Sequence, residues 1–89
     1  MQIEQVTVTN PQGLHARPCA RIVQAASRLR CNVSLVVNGR RANARSLIAV
    51  LLLSASAGTL VQVEVDGPEE VTAMREITAL FHDGVGEGS

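Results

Sequence analysis

The chain has 89 residues, a length that suits one domain, and its eight basic and eight acidic residues leave no net charge. A hydrophobic fraction of 46% is enough to build a core and too high for a disordered chain. The balanced charge disfavours a generic nucleic-acid binder and a protein of the membrane surface.

The first part of the chain predicts a strand followed by a helix. Polar and apolar residues alternate over residues 5–9, which is typical of a half-buried strand, and the turn residues 10–13 end it. Pro18 suits the first turn of the next helix, because a missing N–H costs nothing there. The apolar face of this helix repeats at helical spacing and comprises Ile22, Val23, Ala26 and Leu29.

The middle of the chain predicts a hairpin and a second helix. Alternation over residues 32–37 indicates a strand, and Asn38-Gly39 is a strong signal for a type I′ turn. The returning strand, residues 40–44, is short and carries arginines, which suits a sheet edge. Ser46 is a good N-cap, so we interpret the apolar run of residues 47–53 as a short helix.

The last part of the chain predicts a strand and a third helix. Valines alternate with polar residues over residues 60–65, and residues 68–70 open a helix with acidic residues in its first turn. The domain should span residues 1–83, and residues 84–89 should form a flexible, glycine-rich tail. The buried stripe of the helix should comprise Val71, Met74, Ile77, Leu80 and Phe81.

The predicted element order is therefore β-α-β-β-α-β-α. This split βαβ order indicates an α+β fold, an open-faced β-sandwich whose four-stranded antiparallel sheet carries three helices on one face. Several unrelated functions use the same order, so the order alone decides no function.

The cysteines and the apolar runs indicate the compartment. No secretory signal is recognisable ahead of Cys19 and Cys31, so we expect free thiols, with a single disulfide as the less favoured alternative. The longest strictly apolar run, residues 47–53, is far shorter than the roughly 20 residues of a membrane span. We therefore expect a cytoplasmic protein without membrane insertion.

The junction between the first strand and the first helix places His15, Arg17 and Pro18 within four residues. The first turn of a helix offers unpaired N–H groups and partial positive charge, which suit a phosphate. A nucleophilic imidazole forms a phosphoramidate that keeps a high transfer potential. Amides from Ala16 onward and the Arg17 guanidinium would donate to the phosphoryl oxygens, and Gly13 would allow close backbone approach. One interpretation is a phosphoryl carrier.

Spacing alone leaves other interpretations open. In an isolated His-X-Arg-Pro sequence, a histidine that caps a helix beside a solvated arginine is the more common outcome. His15 and Cys19 lie one helical turn apart and would suit a metal, although no further ligand pair accompanies them. RNA-recognition domains share the element order, but they stack bases on aromatic residues of the sheet, and Phe81 falls in the last helix.

Residues 13–18, Gly-Leu-His-Ala-Arg-Pro, closely resemble the active-site motif of the HPr family. Its members are the histidine-containing phosphocarriers of the bacterial phosphoenolpyruvate:sugar phosphotransferase system. The resemblance extends from the first strand to the last helix and includes Asn38-Gly39, residues 44–47 and Gly58-Thr59. It implies a monomeric carrier rather than an enzyme, with no cofactor, metal or nucleic acid.

The resemblance also implies roles for individual residues. His15 would accept the phosphoryl group on Nδ1 from phospho-enzyme I and pass it to enzyme IIA domains, and Arg17 would neutralise its charge. The residues that would support the phosphate are Gly13, Ala16 and Pro18. The hydrophobic patch that would dock both partners comprises Leu47, Ile48 and Leu51.

Ser46 has two implied roles. As an N-cap it contributes about 1 kcal/mol to stability. It also matches the family's regulatory serine, which HPr kinase/phosphorylase phosphorylates in some bacteria. A phosphate there would add roughly two negative charges beside the docking patch and repel an acidic partner surface.

Two residues depart from the family pattern. Cys19 replaces the usual alanine and is expected to be a small buried packer, although a thiol one turn from His15 could make the site sensitive to oxidation. Ser54 stands where the family usually has glycine, so the end of the second helix should differ. The glycine-rich tail also runs past the usual end, and the partner surface is more neutral and richer in arginine than in lysine. Together these departures leave the nitrogen-regulatory paralogue as an alternative to the sugar branch.

Overall fold

The computed structural model describes residues 1–82, and the elements within them follow the order β-α-β-β-α-β-α. The strands are β1 (Gln2–Thr7), β2 (Asn32–Val37), β3 (Arg40–Asn43) and β4 (Leu60–Asp66). The helices are α1 (Ala16–Arg28), α2 (Leu47–Leu52) and α3 (Glu70–His82). None of these helices is long and apolar enough to cross a membrane. The predicted tail, residues 84–89, and the last predicted domain residue, 83, lie outside the described residues.

The strands form one antiparallel sheet in the order β1-β4-β2-β3. On β4, Val61, Val63 and Val65 alternate with polar residues, so their side chains share one face. The helices cover that face, and the valines are fully buried with Ile22 of α1 and Phe81 of α3. Burial of each such side chain contributes about 1.5–3 kcal/mol. The predicted α+β fold is confirmed, and β3 lies at the sheet edge as expected.

The other face of the sheet carries a polar cluster on its middle and edge strands. The Glu64 carboxylate on β4 accepts hydrogen bonds from the Arg41 guanidinium on β3 and, at 2.6 Å, from the Gln62 amide. The hydrogen bond from the Arg41 guanidinium is the main cause that lowers the pKa of Glu64, and the hydrogen bond from the Gln62 side chain lowers it further. The cluster therefore connects the edge strand to β4 across β2.

The bounds of β1 differ from those that the sequence pattern predicted. The strand spans Gln2–Thr7 rather than residues 5–9. Gln2 and Glu4 pair with buried valines of β4, so their side chains lie on the helix-facing side of the sheet. Because both are polar, the first half of β1 lacks the alternation of apolar and polar residues that predicts a strand. β3 and β4 each differ from the predicted bounds by a single residue.

The start of α3 also differs from the prediction. Glu69 has a left-handed φ of +58° and precedes the helix, which begins at Glu70. Val71, expected on the buried stripe, is 54% exposed, and Leu80 is only half-buried. Val71 lies two residues before the first buried position, which rotates it by about 200° around the helix. The residues that α3 buries are Ala73, Met74, Ile77, Thr78 and Phe81.

Candidate functional site

His15 is the N-cap of α1. Its backbone is extended, with φ −91° and ψ −170°, and its carbonyl accepts the first helical hydrogen bond from the Cys19 amide at 3.1 Å. The imidazole makes no capping hydrogen bond and is half-buried. The ring is therefore held at the start of a helix while its nitrogens remain available for chemistry.

The loop before His15 is fixed by backbone hydrogen bonds. Asn10 closes a turn, since its side-chain Oδ1 accepts from the Gln12 amide at 2.9 Å and its carbonyl accepts from the Gly13 amide at 2.8 Å. The next amide, that of Leu14, donates to the Ala55 carbonyl at 2.8 Å. The segment after α2 therefore supports the loop that presents His15.

Gly13 is required by this support. Its φ is +72°, and a Cβ atom there would lie 2.6 Å from the Ala55 carbonyl oxygen and 3.0 Å from the Cα of Ser56. Real Cβ atoms do not approach backbone atoms so closely. The sequence predicted that Gly13 lets the backbone approach a phosphate closely. In the structure, the close approach is between Gly13 and the backbone of residues 55–56.

The first turn of α1 contains Ala16, Arg17 and Pro18. Ala16 and Arg17 are exposed and Pro18 is buried, as expected for a proline packed in a first turn. Within residues 1–82 the amides of Ala16 and Arg17 have no hydrogen-bond acceptor, and the Arg17 guanidinium has neither an ion pair nor a hydrogen bond. Two free backbone donors and a free guanidinium therefore lie directly after His15.

Cys19 is fully buried. Its thiol donates to the Leu14 carbonyl at 3.4 Å, and burial raises its pKa to about 11. A buried thiol that keeps its proton reacts slowly with oxidants and is a poor metal ligand. The burial of the thiol therefore argues against the suggestion that Cys19 makes the site sensitive to oxidation. Among the described residues no group of three or more His, Cys, Asp or Glu side chains is placed to hold a metal.

Ser46 caps α2 as predicted. Its Oγ accepts from the Ala49 amide at 3.3 Å, and its carbonyl accepts from the Val50 amide at 3.0 Å. Ser54, beyond the other end of α2, has a left-handed φ of +52°. That conformation explains why a glycine would suit this position, and serine adopts it at some cost.

The exposed side of α2 is apolar. Leu47 is 40% exposed and Ile48 is 66% exposed, whereas Leu51 is half-buried against the core. Leu52, which the sequence analysis did not include, is 66% exposed. A run that is apolar throughout has no periodicity to show which residues face outward. We call these four residues, Leu47, Ile48, Leu51 and Leu52, the α2 patch.

Arg45 joins the start of α2 to the end of α1, and the sequence analysis missed it. Its guanidinium donates to the carbonyls of Ala26 at 3.3 Å, Leu29 at 2.7 Å and Cys31 at 3.1 Å. The Ala26 and Leu29 carbonyls lie in the last turn and the C-cap of α1, where a cation is favourable, and Cys31 lies in the loop that follows. The local sequence carried no signal for this contact, because it spans 14 to 19 residues of chain.

Charge is segregated although the net charge is zero. Seven of the eight basic residues fall within residues 17–45 and are exposed, on α1, on β3 and in the loops next to them. The acidic residues are Glu4 and residues from 64 onward, chiefly on β4 and α3. Two of these arginines are paired in the fold, Arg28 with Glu76 and Arg41 with Glu64, so the segregation along the sequence is partly neutralised between the elements.

The same fold and motif occur in known proteins. The chain matches the family described as "PTS HPr component phosphorylation site" over residues 3–83. It is 45% identical over 83 residues to the phosphocarrier protein HPr of Xylella fastidiosa, covering 93% of each chain. It is 42% identical to that of Treponema pallidum, covering 93% of this chain and 94% of the relative.

Solved structures agree with these relatives. HPr-C-His from Thermoanaerobacter tengcongensis superposes with a TM-score of 0.91 at 29% identity, covering 97% of each chain. The phosphocarrier protein HPr from Bacillus anthracis superposes with a TM-score of 0.85 at 26% identity, covering 90% of this chain and 95% of that one. By sequence and by fold, the chain belongs to the HPr family of phosphocarriers of the phosphotransferase system.

Proposed function

We propose that His15 is the residue that carries the phosphoryl group, taking it from phospho-enzyme I and passing it to enzyme IIA domains of the sugar branch. The observation that carries this proposal is the uncapped, half-buried imidazole at the start of α1, beside two free amides and a free guanidinium. The lone pair of Nδ1 forms a P–N bond while the bond from phosphorus to the donor breaks. The reverse exchange occurs with the acceptor.

Arg17 and the first amides of α1 stabilise the phosphorylated form. A phosphoryl group on His15 brings negative charge to a helix N-terminus, where backbone N–H groups and the helix dipole favour an anion. The Arg17 guanidinium is unpaired within residues 1–82, so it can pair with two phosphoryl oxygens without losing another partner. Gly13 and Pro18 act indirectly by fixing the loop and the first turn.

The α2 patch is the surface on which both partners dock. An exposed apolar group on a helix that packs against α1 suits partners that bind one after the other. The arginines around it favour an acidic partner surface. The protein acts as a monomeric co-substrate of transferases in the cytoplasm rather than as an enzyme. In organisms with the kinase, a phosphate on Ser46 would place negative charge beside the patch and weaken docking.

Phosphorylation by purified enzyme I and phosphoenolpyruvate tests the function. We expect one acid-labile, base-stable phosphate per chain, and none in His15→Ala. Phosphate acceptance by His15→Ala would overturn the assignment. A comparison of enzyme I from the sugar branch with enzyme I from the nitrogen branch decides the pathway, and preference for the nitrogen-branch enzyme would replace the proposed acceptors.

A further inference from the structure

The carbonyl of Leu14 occupies a special place in the site. It belongs to the peptide group that joins Leu14 to His15, and this group is planar, so its orientation constrains the backbone of His15. The amide of the same peptide group makes a 3.1 Å contact with the Gly13 carbonyl, and the amide of Leu14 itself is bound to Ala55. The Leu14 carbonyl oxygen is therefore the remaining atom of this peptide group through which a hydrogen bond can fix its orientation.

The Leu14 carbonyl accepts a hydrogen bond from the Cys19 thiol at 3.4 Å, and within residues 1–82 it accepts no other. Leu14 precedes the N-cap His15, so its carbonyl lies outside the helical hydrogen bonds of α1, and Pro18 has no N–H to donate. The Cys19 side chain therefore gives the Leu14 carbonyl a donor that the backbone of the first turn does not supply. Cys19 also donates its own amide to the His15 carbonyl, so it contacts the backbone on both sides of His15.

The environment of Cys19 keeps the thiol suited to this task. A thiol donates only while it holds its proton, and complete burial disfavours the thiolate. The second cysteine, Cys31, is equally buried, but it follows the C-terminal end of α1 and contacts the Gly67 turn. The two cysteines therefore provide a natural comparison between a thiol next to His15 and a thiol far from it.

We propose that Cys19 is a positioning residue for phosphoryl transfer, whose thiol fixes the Leu14–His15 peptide and thereby the direction of the imidazole. This inference rests on the proposed function of His15. Cys19 does not touch the reacting atoms, so its effect passes through the backbone. A residue that only fills space would affect stability without affecting the geometry of His15.

Three variants test the proposal: Cys19→Ala, which removes the donor, Cys19→Ser, which keeps a donor, and the matched control Cys31→Ala. With enzyme I and phosphoenolpyruvate, we expect Cys19→Ala to lower the maximal transfer rate about three- to tenfold, the range expected for one lost hydrogen bond. Its KM should stay near that of the unchanged protein, because the α2 patch is intact. Cys19→Ser should recover most of the rate, and Cys31→Ala should transfer normally.

NMR of the His15 ring and of the Leu14 and His15 amides gives a second readout. Cys19→Ala should shift these signals and Cys31→Ala should leave them in place. Equal rates and equal spectra for the two alanine variants would overturn the proposal, as would a serine variant no better than alanine. If the unchanged protein accepts no phosphate, the proposed function fails, and the NMR comparison still decides whether Cys19 orients His15.

Discussion

Replacing Gly13 by alanine should destabilise the protein through two separable effects. The backbone there has φ +72°, and forcing an L-residue into the left-handed region costs about 1–2 kcal/mol. The added Cβ would also lie 2.6 Å from the Ala55 carbonyl oxygen. Because that neighbour is backbone and cannot rotate away, the overlap should cost a further ~1–3 kcal/mol.

Gly58→Ala isolates the first effect. Gly58 has a similar φ of +88°, and a Cβ there meets nothing within 4 Å. Thermal and urea unfolding of both variants therefore measures the overlap as a difference. For a domain of this size each kcal/mol corresponds to about 4–8 °C in Tm, so Gly13→Ala should melt at least about 4 °C below Gly58→Ala. Equal losses of stability would refute the close approach to residues 55–56 as the reason for a glycine at this position.

Three further predictions concern charged and polar groups. Arg17→Ala should lower the phosphoryl-transfer rate at unchanged Tm, because the exposed guanidinium has no structural partner within residues 1–82; an unchanged rate in the enzyme I assay would contradict its role. Ser46→Asp should retain the helix cap but weaken binding to enzyme I by calorimetry, and equal affinity would remove the regulatory role. Hydrogen bonds from Arg41 hold the pKa of Glu64 below its value in the unfolded chain. Glu64 therefore contributes its full stabilisation at a pH above the unfolded pKa, and this contribution is lost as the pH falls through the lowered pKa of the folded state. Urea unfolding at pH 7 and in acid should therefore show that the free energy of unfolding falls less on acidification for Glu64→Gln than for the unchanged protein. An identical fall in the two proteins would contradict this assignment.

Most of the fold followed from local sequence signals. The hairpin at Asn38-Gly39, the alternating valines of β4 and the cap at Ser46 each depend on residues close together in the chain, and the structure has all three. The start of β1 was missed because its inward positions hold Gln2 and Glu4. Local patterns therefore did not predict the first residues of β1, because the sheet extends there beyond the apolar core.

The site was only partly predictable for a similar reason. The motif at residues 13–18 identified His15 and its helix, because helix starts have a local signature. The contact between Leu14 and Ala55 joins distant segments, as does the contact of Arg45 with the end of α1. Burial of Cys19 likewise depends on packing between elements, so the sequence alone left open whether its thiol was reactive.

The segregated charge of the molecule has a consequence for the kinetics of exchange. Arginines concentrate on α1, on β3 and in the loops next to them, and within residues 1–82 those other than Arg28 and Arg41 form no ion pair with a carboxylate. On the proposed function, these unpaired arginines attract an acidic partner before contact and raise the rate of encounter. Salt screens charges beyond about 10 Å at 0.1 M, so it should slow this proposed encounter without changing any contact within the protein.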